Sequence, residues 1–194
     1  IFCRTRRETQ KICEKLIEDG YSAGALHGDL SQNQRDSVMK SFRIKQIKIL
    51  VATDVASRGI DVENITHIIH YKIPDEVEIY NHRSGRTGRA SNKGLSVLFM
   101  NESEKRKLKS IENKLKIKIH LNDLPSKNEV FVNQIKEYFN KIINTNINEE
   151  LNPFLSIINQ NLDIITKEEL IKKIASLEFE RKLNSLKEEE IKIV

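Results

Sequence analysis

"IKILVAT", Ile47 to Thr53, holds five apolar residues in seven and runs straight into the polar, glycine-containing segment "TDVASRGID", Thr53 to Asp61. A near-continuous apolar run of this length reads as a strand buried on both faces, the kind found in parallel sheets. On its amino side, "LSQNQRDSVMKSFR" reads as a helix with Ser31 as N-cap and Val38, Met39 and Phe42 facing inward. Before that come "YSAGALHG" as a strand, "RRETQKICEKLIEDG" as a helix with Ile12, Leu16 and Ile17 on one face, and Ile1–Cys3 as a short strand. On its carboxyl side, "THIIHYKI" and "LSVLFM" read as strands. "ESEKRKLKSIENKLK" closes the series as a charged helix with Leu108, Ile111 and Leu115 on one stripe. Strands alternating with helices predict an α/β fold, a parallel sheet covered by helices on both faces. Such sheets bind ligands at the carboxyl ends of their strands, so function is sought in the segments that follow each strand.

"NDLPSKNE", Asn122 to Glu129, punctuates the chain. After it the strand signal stops and apolar residues recur at helical spacing. Glu129 to Asn144 presents Phe131, Ile135, Tyr138 and Ile142; "NPFLSIINQNL" starts a second helix, with Asn152 capping and Pro153 at the first helical position. "TKEELIKKIASLEFERKL" starts a third with a capping box, Thr166 and Glu169. The expected division is therefore 1–121 as an α/β lobe, 122–128 as linker and 129–194 as a small all-α module. In the third helix Leu170, Ile174 and Leu177 fall on one stripe, and Phe179, Leu183 and Leu186 on the opposite side. Either the helix breaks near Glu178 or the second stripe packs against another surface; another copy of the chain is the expected one, making a homodimer through 129–194.

The chain has 194 residues, a net charge of +5 and no apolar run long enough to span a membrane. The basic excess lies in residues 1–100, with 16 basic and 12 acidic side chains, which points to a polyanionic partner there. Cys3 and Cys13 lack metal-site spacing and no secretory signal precedes them, so a reduced, cytoplasmic setting is expected. The chain opens at Ile1 inside an apolar run without a starting methionine, and we expect an amino-terminally truncated lobe.

Four segments follow strand ends: "RTRRET", "HGDLSQNQR", "TDVASRGID" and, after a short linker, "HRSGRTGR". They offer Thr5, Ser31 and Thr53 hydroxyls, helix-start amides after His27–Gly28, and Arg35, Arg58, Arg86 and Arg89. Arg83 to Arg89 alone packs three arginines and two glycines into seven residues, which reads either as a solvated basic helix end or as a phosphate claw. Asp54 and Asp61 read by themselves as turn and cap residues. His67 and His70 are three apart in a strand, so they point to opposite faces and are structural; no metal site is expected.

"ILVATDVASRGIDV" followed by "YNHRSGRTGRA" resembles the second RecA-like lobe of DEAD-box RNA helicases, with "IFCRT" similar to that family's motif IV. "LHGDLSQNQR" carries a Q-x-x-R element as Gln32 and Arg35, "ATDVASRGID" resembles motif V and "HRSGRTGR" motif VI. His82 at the head of motif VI favours the DEAD-box group, and Ser84 stands where isoleucine is more usual. The resemblance covers residues 1 to about 120; the tail after "LNDLPS" resembles, more loosely, the helical dimerisation region of bacterial helicases of the cold-shock and ribosome-assembly type.

By that resemblance Arg86 and Arg89 are the catalytic arginine fingers on the γ-phosphate of ATP. Asp61 holds the ribose, and Gly59 lets the backbone approach it. Thr5, Gly28, Gln32, Arg35 and Thr53 line the backbone of single-stranded RNA, and Arg58 and His82 couple this lobe to the protein's own N-terminal helicase lobe. The chain contains neither G-x-x-x-x-G-K-[ST] nor D-E-A-D, so the missing lobe is expected to hold Mg2+ and the β-phosphate, and this chain to supply half an ATPase site. The alternative is a non-enzymatic RNA- or protein-binding module derived from such a lobe.

Overall fold

The computed structural model describes residues 1–56, 62, 65–88 and 93–190, except for the side chains of 181, 182 and 185–190. Among them five strands form one sheet: β1 (Phe2–Cys3), β2 (Ala23–Leu26), β3 (Ile49–Thr53), β4 (His67–His70) and β5 (Leu95–Leu98). Every pairing is parallel, in the order β2-β3-β1-β4-β5. The helices are α1 (Arg6–Glu18), α2 (Gln32–Arg43), α3 (Val77–Ser84), α4 (Lys105–Leu115), α5 (Lys127–Ile143), α6 (Leu155–Leu162) and α7 (Lys167–Glu190). The chain divides into two compact units, Ile1–His120 and Leu121–Val194.

Register sorts the first unit's core into faces. Side chains of partnered residues in a parallel sheet share a face, so Phe2, Ala52, Leu26, His70 and Leu98 point one way and Cys3, Val51 and Ala25 the other. Helix α1 covers the second set through Cys13, Ile12 and Leu16. On the first face, α2 packs Val38, Met39 and Phe42 over Leu26, Leu50 and Ala52. Further along that face, α3 and α4 close over Ile73, Val77, Tyr80, Leu108 and Ile111, with Leu98 against them. The crossover leaving β1 thus runs over one face and those leaving β2 and β4 over the other, as right-handed connections require. Adjacent strands whose connections part to opposite faces open a crevice at their carboxyl ends, here beside β1. His67 is exposed and His70 fully buried, consistent with opposite faces.

The second unit is all helical and revises several expectations. The linker is shorter than 122–128, because α5 already begins at Lys127. Ser126 Oγ accepts from the Glu129 amide at 3.2 Å while the Glu129 carboxylate accepts from the Ser126 amide at 2.7 Å, a capping box that starts the helix. Asn152 is not a cap and Pro153 is not the first helical residue of α6. A 3-10 segment, Glu149–Phe154, contains both, with Asn148 as its cap, and α6 follows at Leu155. Only half of the Thr166–Glu169 box is described, the Glu169 amide donating to Thr166 Oγ1 at 3.2 Å.

The two-stripe reading of α7 fails at both ends. Phe179, assigned to an outer stripe, is 3% exposed and stacks edge-on against Phe131 and Tyr138 of α5, at 5.6 and 5.4 Å. Leu177, assigned to the inner stripe, is 84% exposed. The helix packs on one broad arc that takes Leu170 and Ile174 from one side and Ala175 and Phe179 from the other. Residues four apart stack along a helix, and this ridge climbs between the two stripes. The side chain of Leu186 lies outside the described residues, and Leu183 is 38% exposed.

Candidate functional site

The candidate RNA-contacting residues follow three neighbouring strands. Thr5 comes after β1, Thr53 ends β3, and Gly28, Gln32 and Arg35 come after β2; the sheet order sets these carboxyl ends side by side as β2-β3-β1. Thr5 is exposed and N-caps α1, its Oγ1 accepting from the Glu8 amide at 3.2 Å. Thr53 is buried. Gly28 is exposed, and a Cβ there would meet only the Arg6 side chain, at 3.8 Å, so nothing within this unit demands glycine. The open surface above it permits a close approach by a ligand backbone. Gln32 donates to Asp36 Oδ1 at 2.9 Å. Arg35 reaches from α2 to the segment after β3, where its Nη2 donates to the Ala56 carbonyl at 3.2 Å.

The motif "HRSGRTGR" divides in two. His82, Arg83 and Ser84 form the last turn of α3, with His82 exposed, and Gly85 caps it. Arg86 is half-buried in the loop beyond, its amide donating to the Arg83 carbonyl at 3.0 Å. Thr87 Oγ1 donates to the Ile65 carbonyl, and Gly88 takes φ +68°, a conformation that favours glycine. Arg86 also walls a cavity of about 600 Å³ between α2 and this loop, lined by Phe2, Phe42, Leu50 and Ile68. That cavity lies on the flank of the sheet. The structure therefore gathers Thr5, Gly28, Arg35 and Thr53 along the strand ends. Arg58, Gly59, Asp61 and Arg89 lie outside the described residues.

Two arrangements escaped the reading of the sequence. Arg83, 3% exposed, donates from Nε and Nη2 to the two carboxylate oxygens of Asp54, both at 2.6 Å, and its guanidinium lies 5.1 Å from the centre of the Phe2 ring. Asp54 is thus more than a turn residue, and 29 positions of separation hid its partner. Ser84 lies 2.9 Å from Ser96 Oγ, and His70 Nε2 lies 3.1 and 3.2 Å from the two hydroxyls. Ser84 thus gives the buried His70 ring a hydroxyl partner that isoleucine could not supply. Burial, reinforced by the Arg83 charge, pushes the His70 imidazole down to about 3, so it is neutral at ordinary pH. Tyr80 stacks on its ring at 4.7 Å. Burial, with the neighbouring Glu8 charge, pushes the Cys3 thiol up to about 11, so the thiolate needed for redox or nucleophilic chemistry is suppressed.

Comparison with known proteins gives two family matches. Residues 1–91 match the helicase conserved C-terminal domain, and residues 130–187 match the helical domain of probable ATP-dependent RNA helicases. The DEAD-box ATP-dependent RNA helicase CshA of Bacillus cereus is 40% identical over 163 residues, which is 84% of this chain and 31% of that protein. Among solved structures, a DEAD box protein from the hyperthermophile Methanococcus jannaschii is 49% identical, with a TM-score of 0.57, over 61% of this chain and 32% of that one. The C-terminal domain of the DEAD-box protein Dbp5 is 30% identical, with a TM-score of 0.55, over 59% of this chain and 67% of that one. The chain spans about a third of the length of the curated relatives it matches.

Proposed function

The chain belongs to the DEAD-box helicase family, and from that premise we propose that it works as the carboxy-terminal part of an ATP-dependent RNA helicase. The observation that carries the reading is the line of Thr5, Gly28, Arg35 and Thr53 along three adjacent strand ends. Hydroxyls, a glycine backbone and one cation suit the sugar-phosphate backbone of single-stranded RNA and read no base, so binding is independent of sequence. Arg86, joined by Arg89, supplies permanent positive charge to a transferring phosphoryl group. Asp61 and Gly59 hold the ribose, while Arg58 and His82 meet the N-terminal lobe when the cleft closes. Magnesium is assigned to that lobe, the one expected to carry the G-x-x-x-x-G-K-[ST] and D-E-A-D elements that this sequence does not contain. Closure of two lobes around ATP and RNA separates a short duplex, and hydrolysis reopens the cleft.

The decisive measurement is ATP turnover by the full-length protein with and without RNA. Turnover stimulated by unrelated single-stranded RNAs supports the reading. Absence of turnover with RNA binding retained replaces it by a non-enzymatic RNA-binding module. Free, buried Cys3 and Cys13 suit the cytoplasm as its place of work.

For the second unit the proposal is pairing between two copies. Ile143, Ile147 and Ile164 are each more than three-quarters exposed in a unit too small to bury them. A symmetric copy is the commonest cover for such a surface. Phe179 belongs to the unit's own interior and is withdrawn from the interface.

A further inference from the structure

We propose that the outward face of α4 is a second contact surface for RNA, taking phosphates of a strand that continues past the end of β1; the inference rests on the helicase reading above. Helix α4 packs Leu108, Ile111 and Leu115 against the lobe's core. Opposite them, Arg106, Lys109, Ser110 and Asn113 recur at positions i, i+3, i+4 and i+7, one stripe about 10 Å long and exposed throughout. With Lys114 at their edge, they line a single shallow groove. The stripe holds two cations, a hydroxyl and an amide, and no carboxylate.

Its charge is unanswered within the lobe. Between Glu102 and Lys118 the chain carries seven basic side chains against three acidic ones, and each nearby carboxylate is already engaged. Glu102 pairs with Lys105, Asp75 with Lys107, and Glu78 with Lys114. Glu104 accepts from the Asn101 amide and Glu112 from the Ile119 amide, both at 2.9 Å. Arg106 and Lys109 make no ion pair among the described residues. Helix stability does not explain them. One turn apart they repel each other, and Arg106 stands in the first turn, where the helix dipole disfavours a cation. A chain of phosphates relieves both, and this mixture of donors suits phosphate oxygens without reading a base.

Position makes RNA the polyanion that fits. Lys107 Nζ donates to Asp75 Oδ1 at 2.5 Å, and Arg4 Nη2 donates to the same oxygen at 3.1 Å. Arg4 directly precedes Thr5, where the strand-end line stops. One carboxylate thus ties the first turn of α4 to that point. The sheet order continues the same way, since β4 and β5 lie beyond β1 and α4 follows β5. A strand laid along the ends of β2, β3 and β1 therefore reaches the stripe by carrying on in one direction. An acidic protein segment offers the same charge but gains nothing from that continuity.

The test measures binding of the full-length protein to two single-stranded RNAs, a short oligouridine and the same sequence lengthened until affinity stops rising. For the long RNA, Arg106→Ala combined with Lys109→Ala should lower affinity by about tenfold at low salt. It should also reduce the log–log salt slope by about 1.4, the share of two phosphate contacts on a single strand. For the short RNA, affinity and slope should match wild type, as should the melting temperature, since both positions are exposed. Either single replacement should give about half the slope change, and decides the matter if the double variant fails to fold. The control, Lys40→Ala with Arg43→Ala, removes the same charge from the last turn of α2 and should alter neither RNA's binding. Unchanged binding of the long RNA overturns the proposal and leaves the stripe to an acidic protein. Equal losses on both RNAs overturn it too, and so does a control that matches the double variant, which makes the effect one of net charge. A wild type whose affinity ignores RNA length overturns this inference alone. One that binds neither RNA overturns the helicase reading with it.

Discussion

The two units of this chain read alike in sequence and fold unlike in consequence. Both show apolar residues at helical spacing, caps and amphipathic stripes. Yet of the fifteen buried hydrophobic residues among those described, fourteen lie in Ile1–His120, and only Phe179 lies in Leu121–Val194. The lobe has a sheet, which collects the inner faces of helices distant in sequence onto two common surfaces. The helical unit has no such platform. Its α5 and α7 meet over Phe131, Tyr138 and Phe179, and α6 buries nothing fully among the described residues. What the difference teaches is that amphipathic periodicity states how much a helix offers for burial, whereas the architecture around it states how much is taken.

If the chemistry belongs to the lobe, Arg86→Ala or Arg89→Ala in the full-length protein should cut ATP turnover by about a thousandfold or more, by analogy with other arginine fingers. ATP affinity should fall far less, and Phe179→Ala should leave turnover near wild type. Near-normal turnover in either arginine variant would dissolve the division of labour. The cores are compared next by thermal unfolding. Ile111→Ala should cost about 2–5 kcal/mol and Phe179→Ala about 3–5 kcal/mol, each cost confined to its own unit's transition. One shared transition that moves with both variants would mean that the two units fold as one.

Acid should strike the lobe selectively. His70 titrates at about 3 when folded and near 6.5 when unfolded, so between those values the unfolded chain binds the extra proton. The His70 contribution is therefore fully present above about pH 6.5 and drains away as pH falls towards 3. His70→Gln should flatten the pH dependence of the lobe's melting temperature in that window, and an unchanged slope would contradict the assignment.

Smaller effects follow at the surfaces. Arg35→Ala should weaken RNA binding about equally for unrelated sequences and lower the log–log salt slope by roughly one; a loss confined to one sequence would show base readout instead. In the helical unit, Leu183→Glu should shift light scattering at micromolar concentration from dimer to monomer, and a wild-type chain that is already monomeric removes the pairing proposal. Smallest of all, Leu177→Ala should change stability by no more than about 0.5 kcal/mol, because its side chain is 84% exposed. A larger cost, dependent on protein concentration, would put Leu177 in the dimer interface.

Much of this protein was settled by its residues alone. The apolar run at Ile47–Thr53, the alternation around it and the capped helices at Thr5 and Ser31 are local signals, and they suffice for a parallel α/β lobe with its polar segments at the strand ends. The motif residues could be named for the same reason, since a motif is a local pattern. Pairing across the fold could not. Asp54 and Arg83 lie 29 residues apart, and His70 meets Ser84 and Ser96 across 14 and 26, contacts set by strand order and register. In the helical unit, Phe179 turned inward and Leu177 outward because the buried arc of α7 is chosen by what α5 offers opposite it, and helical spacing alone leaves that rotation undetermined.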